Sequence, residues 1–406
     1  MASLPHSRDA ALALDQIDPL AGKRRLFCLP EGCCYLVGHS LGPPPLSASE
    51  RLREAQADWQ RDLVRSWNSA GWIDLAERAG AQIAPLIGVD TEEVIVTDSV
   101  SVNLFKLAAA ALPLAARRVI LVEEDEFPTD QYIAEEMARQ TGAEFQRLAA
   151  GGGFGALSRG GVLIRSAVNY RSAEVARIDD FEAEAARHGA IIVWDLSHAT
   201  GVLDVELKAS GARLAAGCTY KYLNGGPGAP AFIYAARELA GRLASPLPGW
   251  MGHAAPFAFT PDYAPRAGAA RFASGTPPIL SLATLSGALE TFANVSASAL
   301  ATKARALGNL VISRADSMGL DVMSPRDPSR RGGHVSLRIK EGYPVVQALA
   351  ACGVMADFRA PDTVRFGLSP LFLSHADVRG AMDALEHILQ SGSWDKPEFH
   401  ARAKVT

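Results

Sequence analysis

The chain has 406 residues, and its 40 basic and 44 acidic side chains give a formal charge of −4. An apolar share of 48% with a charged share of 21% is typical of a globular protein and excludes a disordered or fibrous one. Because no long run of Lys and Arg is present, we expect no nucleic-acid partner and no binding to an anionic membrane.

The sequence shows neither the pattern of a targeting segment nor the cysteine pattern of a metal site. The first residues lack the apolar core of a signal peptide, and no stretch reaches the roughly 18 uncharged apolar residues of a membrane span, so we expect a cytoplasmic protein. The cysteines are odd in number and show no metal-site spacing, so we expect reduced thiols and no bound metal. They are Cys28, Cys33, Cys34, Cys218 and Cys352.

The N-terminal part is rich in turn residues and ends in Gly42-Pro43-Pro44-Pro45, which cannot lie inside a helix. We interpret residues 1–46 as an arm and entry loop. The spacing of apolar residues then predicts a helix over 47–63, with Ser47 and Glu50 as a capping box, and a second helix over about 74–87.

The middle of the chain alternates short apolar runs with helical patterns. This alternation predicts parallel β-α-β units with both sheet faces covered, and so a large α/β domain over 47–293. The predicted strands cover 93–97, 118–122, 162–164 and 190–194, with a further apolar run at 231–234, and the predicted helices cover 101–112, 129–141 and 179–188.

The pattern changes after Leu280. It predicts one long helix to about Met318, followed by alternating strands and helices that form a smaller α+β domain over 294–406. The domain boundary is expected inside that helix, around 294–307. The remaining predicted strands cover 334–339 and 364–367, and the remaining helices cover 343–352 and 374–390.

Doubly wound sheets bind ligands at the carboxyl ends of their strands, and two such ends carry acidic or anion-binding patterns. Residues 98–103 lead from a strand into a helix, which makes a cradle for an anion such as a phosphate, although Ser and Asp are also ordinary helix caps. Asp195 and His198 follow another strand. They are either a helix cap and a structural histidine, or contacts to a cationic heterocycle.

A lone lysine, Lys221, lies in the glycine-rich run 217–228. It is either a surface lysine or a desolvated nucleophilic amine that forms an imine with a carbonyl cofactor. Phe127, after another strand, is either a core residue or a plate for a planar ring. The combination of anion cradle, aromatic plate, carboxylate and amine indicates pyridoxal phosphate.

Seven motifs together resemble those of bacterial kynureninases, and the likeness extends from about Leu29 to the C-terminus. The motifs are Tyr35-Leu-Val-Gly-His-Ser-Leu-Gly42, Arg65-Ser-Trp-Asn-Ser-Ala-Gly-Trp72, the run from Val96 to Lys106, Phe127-Pro-Thr-Asp130, Trp194-Asp-Leu-Ser-His198, the run from Gly217 to Gly228, and Gly249-Trp-Met-Gly-His253. The resemblance implies the fold type I architecture of pyridoxal phosphate enzymes, similar to aspartate aminotransferase. It also implies a homodimer with the active site at the subunit interface.

The resemblance further implies a role for each matching residue. Lys221 forms the imine with the cofactor, Asp195 pairs with the pyridine nitrogen, and Tyr220 contacts the phosphate and serves as an acid or base. Phe127 stacks on the ring. The other implied cofactor contacts are Val100, Ser101, Asp130, Ser166, His198, Trp250 and Thr276, of which Trp250 and Thr276 reach the second subunit's cofactor. The implied substrate contacts are Arg365 at the α-carboxylate, and Ser40 and Trp67 at the aryl end.

The implied reaction is the hydrolysis of L-kynurenine to anthranilate and L-alanine in tryptophan degradation. Whether it serves catabolism or the synthesis of NAD or of a secondary metabolite is left open. In it, Lys221 takes the Cα proton and Tyr220 later protonates Cβ. Two departures lie on the substrate side: His39 stands where the family usually has Asn, and the run 371–374, with Phe372, replaces one that usually carries Tyr.

These departures leave 3-hydroxykynurenine or another aryl-ketone amino acid open as the substrate. Other enzymes of the same fold, such as a cysteine desulfurase-like lyase or an aminotransferase, are also open. A desulfurase needs a cysteine on a mobile loop, whereas Cys352 falls in a helical pattern. A non-catalytic homologue is less consistent with the presence of both Lys221 and Asp195.

Overall fold

The computed structural model describes residues 7–402, which form fourteen α-helices and thirteen β-strands within that range. The helices are α1 (Arg8–Ile17), α2 (Leu46–Asp62), α3 (Ser66–Ser69), α4 (Leu75–Ile83), α5 (Val100–Ala111), α6 (Pro128–Thr141), α7 (Gly153–Ala156), α8 (Ile178–His188), α9 (Arg237–Ala240), α10 (Ile279–Leu289), α11 (Ala297–Ser317), α12 (Gly342–Ala351), α13 (His375–Ser391) and α14 (Pro397–His400). The strands are β1 (Cys34–Tyr35), β2 (Val94–Val96), β3 (Val119–Glu123), β4 (Glu144–Leu148), β5 (Val162–Ser166), β6 (Ile191–Asp195), β7 (Leu214–Gly217), β8 (Phe232–Ala235), β9 (Asp321–Val322), β10 (His334–Arg338), β11 (Val354–Met355), β12 (Asp357–Arg359) and β13 (Thr363–Gly367).

The central sheet has seven strands in the order β2-β8-β7-β6-β5-β3-β4. Strand β8 is antiparallel to both of its neighbours, and the other pairs are parallel. This confirms the predicted α/β class with a mostly parallel sheet. Strands β4 and β7 were not predicted, because the exposed polar strand β4 and the small-residue strand β7 lack a strong apolar run.

The carboxyl ends of β3, β5, β6 and β7 share one edge of this sheet. Strand β2 points the same way, since both it and β7 are antiparallel to β8. Side chains of β6 alternate between two apolar clusters, with Ile192 and Trp194 on one face and Ile191 and Val193 on the other. Both faces of the sheet are therefore covered, and ligand-binding groups emerge at its edge.

A second sheet, in the C-terminal part, is antiparallel with the order β12-β13-β10-β9. The N-terminal segment joins this part, because β1 pairs in parallel with β11 and Leu36 O accepts a hydrogen bond from Gly367 N at 2.7 Å. A second hydrogen bond, from Gly42 N to Tyr220 O, ties the loop after β1 to the loop after β7 of the central sheet as well. The described residues include no helix both long and apolar enough to span a bilayer.

Two local predictions were wrong. The long helix after Leu280 is broken between Leu289 and Ala297: Asn294 has a left-handed backbone with φ of 59°, and Ser296 caps α11 by accepting a hydrogen bond from Ala299 N at 3.1 Å. The capping box at Ser47 and Glu50 does not form. Helix α2 begins at Leu46, and Ser47 Oγ instead donates to Gly287 O at 2.7 Å.

Candidate active site

Asp195 ends β6 and lies opposite Ser166, the last residue of β5, in the register of the sheet. Its side chain is buried, and Oδ1 accepts a hydrogen bond from Ser197 N at 2.8 Å. Burial raises the pKa of this carboxyl, while the positive charge of Lys221 and the hydrogen bond from Ser197 lower it. A carboxylate held here is suited to a cationic partner.

Two further buried carboxyls lie beside Asp195. Asp130 is in the first turn of α6, and its Oδ2 has no hydrogen-bond partner among residues 7–402. Burial, followed by the charges of Asp195 and Glu126, raises the pKa of Asp130 well above its usual range. Glu126 accepts a hydrogen bond from Ser166 N at 3.0 Å, and burial raises its pKa to about 7. An unpaired buried polar atom costs about 1–3 kcal/mol, so this group of carboxyls needs a partner.

Lys221 lies in the loop after β7 and brings a cation to these carboxyls. Its charge opposes the raised pKa of both Asp130 and Asp195, and its Nζ lies 3.4 Å from His198 Nε2. The loop is held by backbone hydrogen bonds from Gly42 N to Tyr220 O at 2.8 Å and from Asn224 N to Lys221 O at 2.9 Å. The charge of Lys221 thus acts on Asp195, and the predicted association of the two residues in a cofactor site stays a prediction.

Two neighbours of Lys221, the phenol of Tyr220 and the imidazole of His198, are neutral. Burial raises the pKa of Tyr220, with smaller contributions from Cys218 and Asp195. Burial lowers the pKa of His198 well below its usual range, and the Lys221 charge acts in the same direction. A protonated phenol and a neutral imidazole thus face the amine, and both can donate or accept a hydrogen bond.

The N-terminus of α5 lies at the same edge of the sheet. Ser99 caps the helix by accepting a hydrogen bond from Val102 N at 3.4 Å, and Val100 and Ser101 occupy the first helical positions. Free backbone N–H groups at such a terminus attract an anion. The anion cradle expected from residues 98–103 is consistent with this arrangement.

A buried lysine, Lys106, holds this cradle in place. Its Nζ donates to Asp98 Oδ2 at 2.5 Å, to Phe272 O at 2.7 Å and to Ser274 Oγ at 2.6 Å. It therefore ties the start of α5 to the segment that carries Thr276. This role of Lys106 was not predicted, because a lysine in an apolar helix gives no sign of its distant partners.

The candidate substrate residue Arg365 lies on β13. Its Nη2 donates to Asp357 Oδ2 at 2.8 Å and its Nη1 to Tyr170 O at 2.6 Å. The ring of Tyr170 meets that of Phe127 edge to face, with centroids 5.4 Å apart, and Phe127 remains 45% exposed. Arg365 and Phe127 are thus connected through Tyr170, and the open Phe127 ring can receive a ligand.

Four predicted residues lie less directly at this centre. Ser40 is partly buried in the loop that contacts Tyr220 O through Gly42. Trp67 packs edge to face on Trp72, Trp250 packs on Phe257, and Thr276 is exposed. Within residues 7–402 of the single chain, Trp67, Trp250 and Thr276 make no hydrogen bond or ring contact with Lys221 or Asp195.

Both departures from the family pattern are buried. Phe372 packs on Phe27 with centroids 5.3 Å apart, so it belongs to the contact with the N-terminal arm. His39 stacks on His334, at 5.2 Å between centroids and 17° between planes. Four further residues near the candidate site were not predicted from the sequence: His334, Asp357, Tyr170 and Glu126. Only Glu126 carried a signal, because it directly precedes the Phe127 motif.

Comparisons with known proteins identify the family. Residues 300–385 match the family described as kynureninase C-terminal domain. Curated kynureninases from Burkholderia mallei and Pseudomonas fluorescens are each 42% identical over 414 residues, covering 98% of this chain and 100% of theirs. The chain belongs to the kynureninase family.

Solved structures agree on the fold. A cysteine desulfurase from Thermococcus onnurineus is 18% identical with a TM-score of 0.76, covering 91% of this chain and 98% of that one. A mutant of C-DES with glycine covalently linked to its PLP cofactor is 16% identical with a TM-score of 0.78, covering 89% and 98%. These identities show the fold alone. The predicted fold type I architecture is confirmed.

Family membership confirms the predicted enzyme class and cofactor, since kynureninases are pyridoxal phosphate-dependent hydrolases of EC 3.7.1.3. The alternative of a desulfurase-like lyase is not favoured. Cys352 lies just beyond the end of α12 and is exposed, rather than inside the helix as predicted.

Proposed function

We propose that this protein hydrolyses L-kynurenine to anthranilate and L-alanine with pyridoxal phosphate as cofactor. The observation that carries the proposal is the position of Lys221 at the carboxyl edge of the sheet, with its Nζ 3.4 Å from His198 Nε2 and within electrostatic range of the buried Asp195 and Asp130, in a chain of the kynureninase family. A partly buried amine beside two buried carboxyls is typical of a catalytic centre rather than of a stabilising core.

The residues present fit pyridoxal phosphate. The unpaired Oδ2 of Asp130 and the carboxylate of Asp195 match a protonated ring nitrogen. The N-terminus of α5 matches the phosphate, and the exposed Phe127 ring matches a planar heterocycle. Lys221 Nζ, whose neighbours are a neutral phenol and a neutral imidazole, matches the aldehyde.

Bound pyridoxal phosphate supplies a ring that withdraws the electron pair left at the substrate α-carbon. Asp195, supported by Asp130, holds the ring nitrogen protonated. Lys221 Nζ, which lies 3.4 Å from the neutral imidazole of His198, takes the proton from Cα. Tyr220 donates a proton to Cβ once the Cβ–Cγ bond has broken, because its raised pKa keeps the phenol protonated.

The remaining roles are proposed by position. Val100, Ser101 and Tyr220 bind the phosphate, and Ser166 and His198 line the cofactor. Arg365 binds the substrate α-carboxylate with a guanidinium preoriented by Asp357. Ser40 and Trp67 border the aryl ring, where a 3-hydroxy group is the main alternative substituent.

We also propose a cytoplasmic homodimer in which Trp250 and Thr276 approach the partner's cofactor, with residues 47–293 as the large domain and 294–406 as the small one. Large apolar side chains in the last turn of α2 and just after it support the dimer, because Trp59, Leu63 and Val64 are each more than half exposed. Light scattering of the wild type and of Val64→Glu tests it. A monomeric wild type contradicts this part.

The test of the reaction is incubation of the cofactor-loaded protein with L-kynurenine and with 3-hydroxykynurenine, monitored by anthranilate fluorescence and by L-alanine formation. Wild-type protein should release both products from at least one substrate. Lys221→Ala should retain the fold and lose the reaction, whereas Lys208→Ala, at an exposed lysine, should behave as wild type. Bound cofactor without cleavage of either substrate contradicts the proposal.

A further inference from the structure

A histidine cluster, His39, His198 and His334, lies between Lys221 and Arg365. The ring centroids are 5.2 Å apart for His39 and His334, 5.7 Å for His198 and His334, and 6.4 Å for His39 and His198. His39 and His334 are fully buried, and His198 is nearly so. His198 is the member that reaches Lys221.

His39 and His334 lie on the same buried face of the small sheet as Arg365. In the register of the small sheet, His334 faces Gly367 and Ser336 faces Arg365. Positions two residues apart on a strand share a face, so His334 and Arg365 emerge side by side. Gly367 leaves room for His39, since a Cβ there would lie 2.1 Å from His39 Nδ1.

Among the described residues, several buried polar atoms around Arg365 have no hydrogen-bond partner. Both ring nitrogens of His39, both ring nitrogens of His334 and Nε of Arg365 lack a hydrogen-bond partner in the described chain, 7–402. The backbone of Tyr170 and Arg171 lies close enough to His334 to raise its pKa through weak hydrogen bonding, but neither residue makes a hydrogen bond of regular geometry to a ring nitrogen. His39 Nε2 lies 3.8 Å from Asp357 Oδ2, which is too long for one. Buried polar groups are normally satisfied, so a cluster of open ones indicates a ligand.

The imidazoles are also held neutral. Burial lowers the pKa of both His39 and His334 well below the usual range, and the charge of Arg365 is the next cause for each. A neutral imidazole keeps one N–H donor and one acceptor nitrogen. Two donors beside a guanidinium suit an anionic group with several oxygen acceptors, which is what an α-carboxylate offers.

We propose that His39 and His334 complete the α-carboxylate site with Arg365, each donating a hydrogen bond to the amino-acid end of the substrate. The inference rests on the proposed function and adds to it two residues whose side chains contact the substrate. It also accounts for the histidine at position 39, where the family pattern has Asn. His198, which faces Lys221, is not part of this pair.

The test is a titration of cofactor-loaded protein with L-alanine, followed by the absorbance of the cofactor, together with KM and kcat for L-kynurenine. His39→Leu and His334→Leu remove the ring nitrogens at similar volume. Each should weaken L-alanine binding and raise KM about tenfold, with kcat within about threefold, because the lost hydrogen bond serves binding. His39→Asn and His334→Gln keep an N–H donor and should stay within about threefold of the wild type.

Anthranilate, which lacks the amino-acid end, is the matched probe, and its inhibition constant should not change in any variant. The exposed His188→Leu is the control substitution. If a leucine variant does not fold, His39→Phe and His334→Phe keep a planar ring and remove the same nitrogens.

If folded His39→Leu and His334→Leu bind L-alanine as tightly as the wild type, the inference is overturned. The stacked rings of His39 and His334 are then only a packing contact. Equal weakening of anthranilate overturns it as well, since the pair then serves the aryl end. A wild type that binds L-alanine but does not cleave L-kynurenine overturns the proposed function alone, and the L-alanine titration still decides the role of the pair. A wild type that does not bind L-alanine overturns the inference.

Discussion

The carboxylate of Asp357 holds the guanidinium of Arg365 across 2.8 Å, and each side chain is only 2% exposed. The two residues lie on neighbouring antiparallel strands and face each other in register. Burial lowers the pKa of Arg365, and the negative charge of Asp357 opposes that shift. This pair fixes the direction of the guanidinium before any substrate arrives.

Asp357→Asn should destabilise the protein by about 3 kcal/mol, because it leaves a buried guanidinium without its counter-charge. Denaturation by urea measures the change. The control Asp321→Asn, at an exposed ion pair with Arg338, should have little effect. Equal stability of Asp357→Asn and wild type would show that the ion pair does not support the fold.

Lys106→Met should weaken cofactor binding about tenfold and lower stability by about 3–5 kcal/mol. The substitution removes three hydrogen bonds that tie the start of α5 to the segment carrying Thr276, and it leaves Asp98 without its cation. Titration of the apoenzyme with pyridoxal phosphate gives the affinity. Lys208→Met, at an exposed ion pair with Asp90, is the control and should leave both quantities unchanged. If Lys106→Met and Lys208→Met bind pyridoxal phosphate with the same affinity, Lys106 does not support the phosphate site.

Glu126→Gln should flatten part of the dependence of stability on pH. Burial raises the pKa of Glu126 from 4.5 to about 7, so the protonated form stabilises the folded state at low pH. That stabilisation is lost as the pH rises from about 4.5 to about 7, and at about 1.4 kcal/mol per pKa unit it amounts to roughly 3 kcal/mol.

At pH 8 the glutamine variant should therefore be more stable than the wild type, and near pH 4 the two should be similar. Urea denaturation across this pH range is the measurement. Glu135→Gln, at an exposed ion pair with Arg147, should follow the wild-type curve. If the stability of the wild type rises between pH 5 and pH 7 in step with that of Glu126→Gln, the raised pKa of Glu126 is contradicted.

Gly42→Ala should displace the loop that carries Lys221. A Cβ at this position would lie 2.3 Å from both Lys221 O and Asn224 Oδ1, and neither the backbone nor the buried amide can move away cheaply. We expect at least a tenfold loss of kcat/KM and a shifted cofactor absorbance band. Gly22→Ala, where the added Cβ has open space, should have wild-type activity. Full activity of Gly42→Ala would mean that the loop tolerates the displacement.

Much of the fold could be predicted from the chain because its elements are strongly periodic. The apolar runs of β3, β5 and β6 and the helices between them are local signals, and they predict parallel units without knowledge of distant contacts. The break between α10 and α11 was missed because it depends on one left-handed residue, Asn294, and one cap, Ser296. Such residues are common within helical patterns.

By itself the sequence determined the α/β class, the order of the strands along the chain and the motifs that indicate pyridoxal phosphate, because these depend on local spacing and on residue type. The tertiary structure alone decided which groups meet: Lys106 with Ser274, Asp357 with Arg365, and His39 with His334. Each pair joins different structural elements, and Lys106 and Ser274 lie 168 residues apart along the chain. Burial then changes the pKa values of Glu126, Asp130 and Asp195, since desolvation depends on everything that packs around a group and not on its neighbours in the sequence.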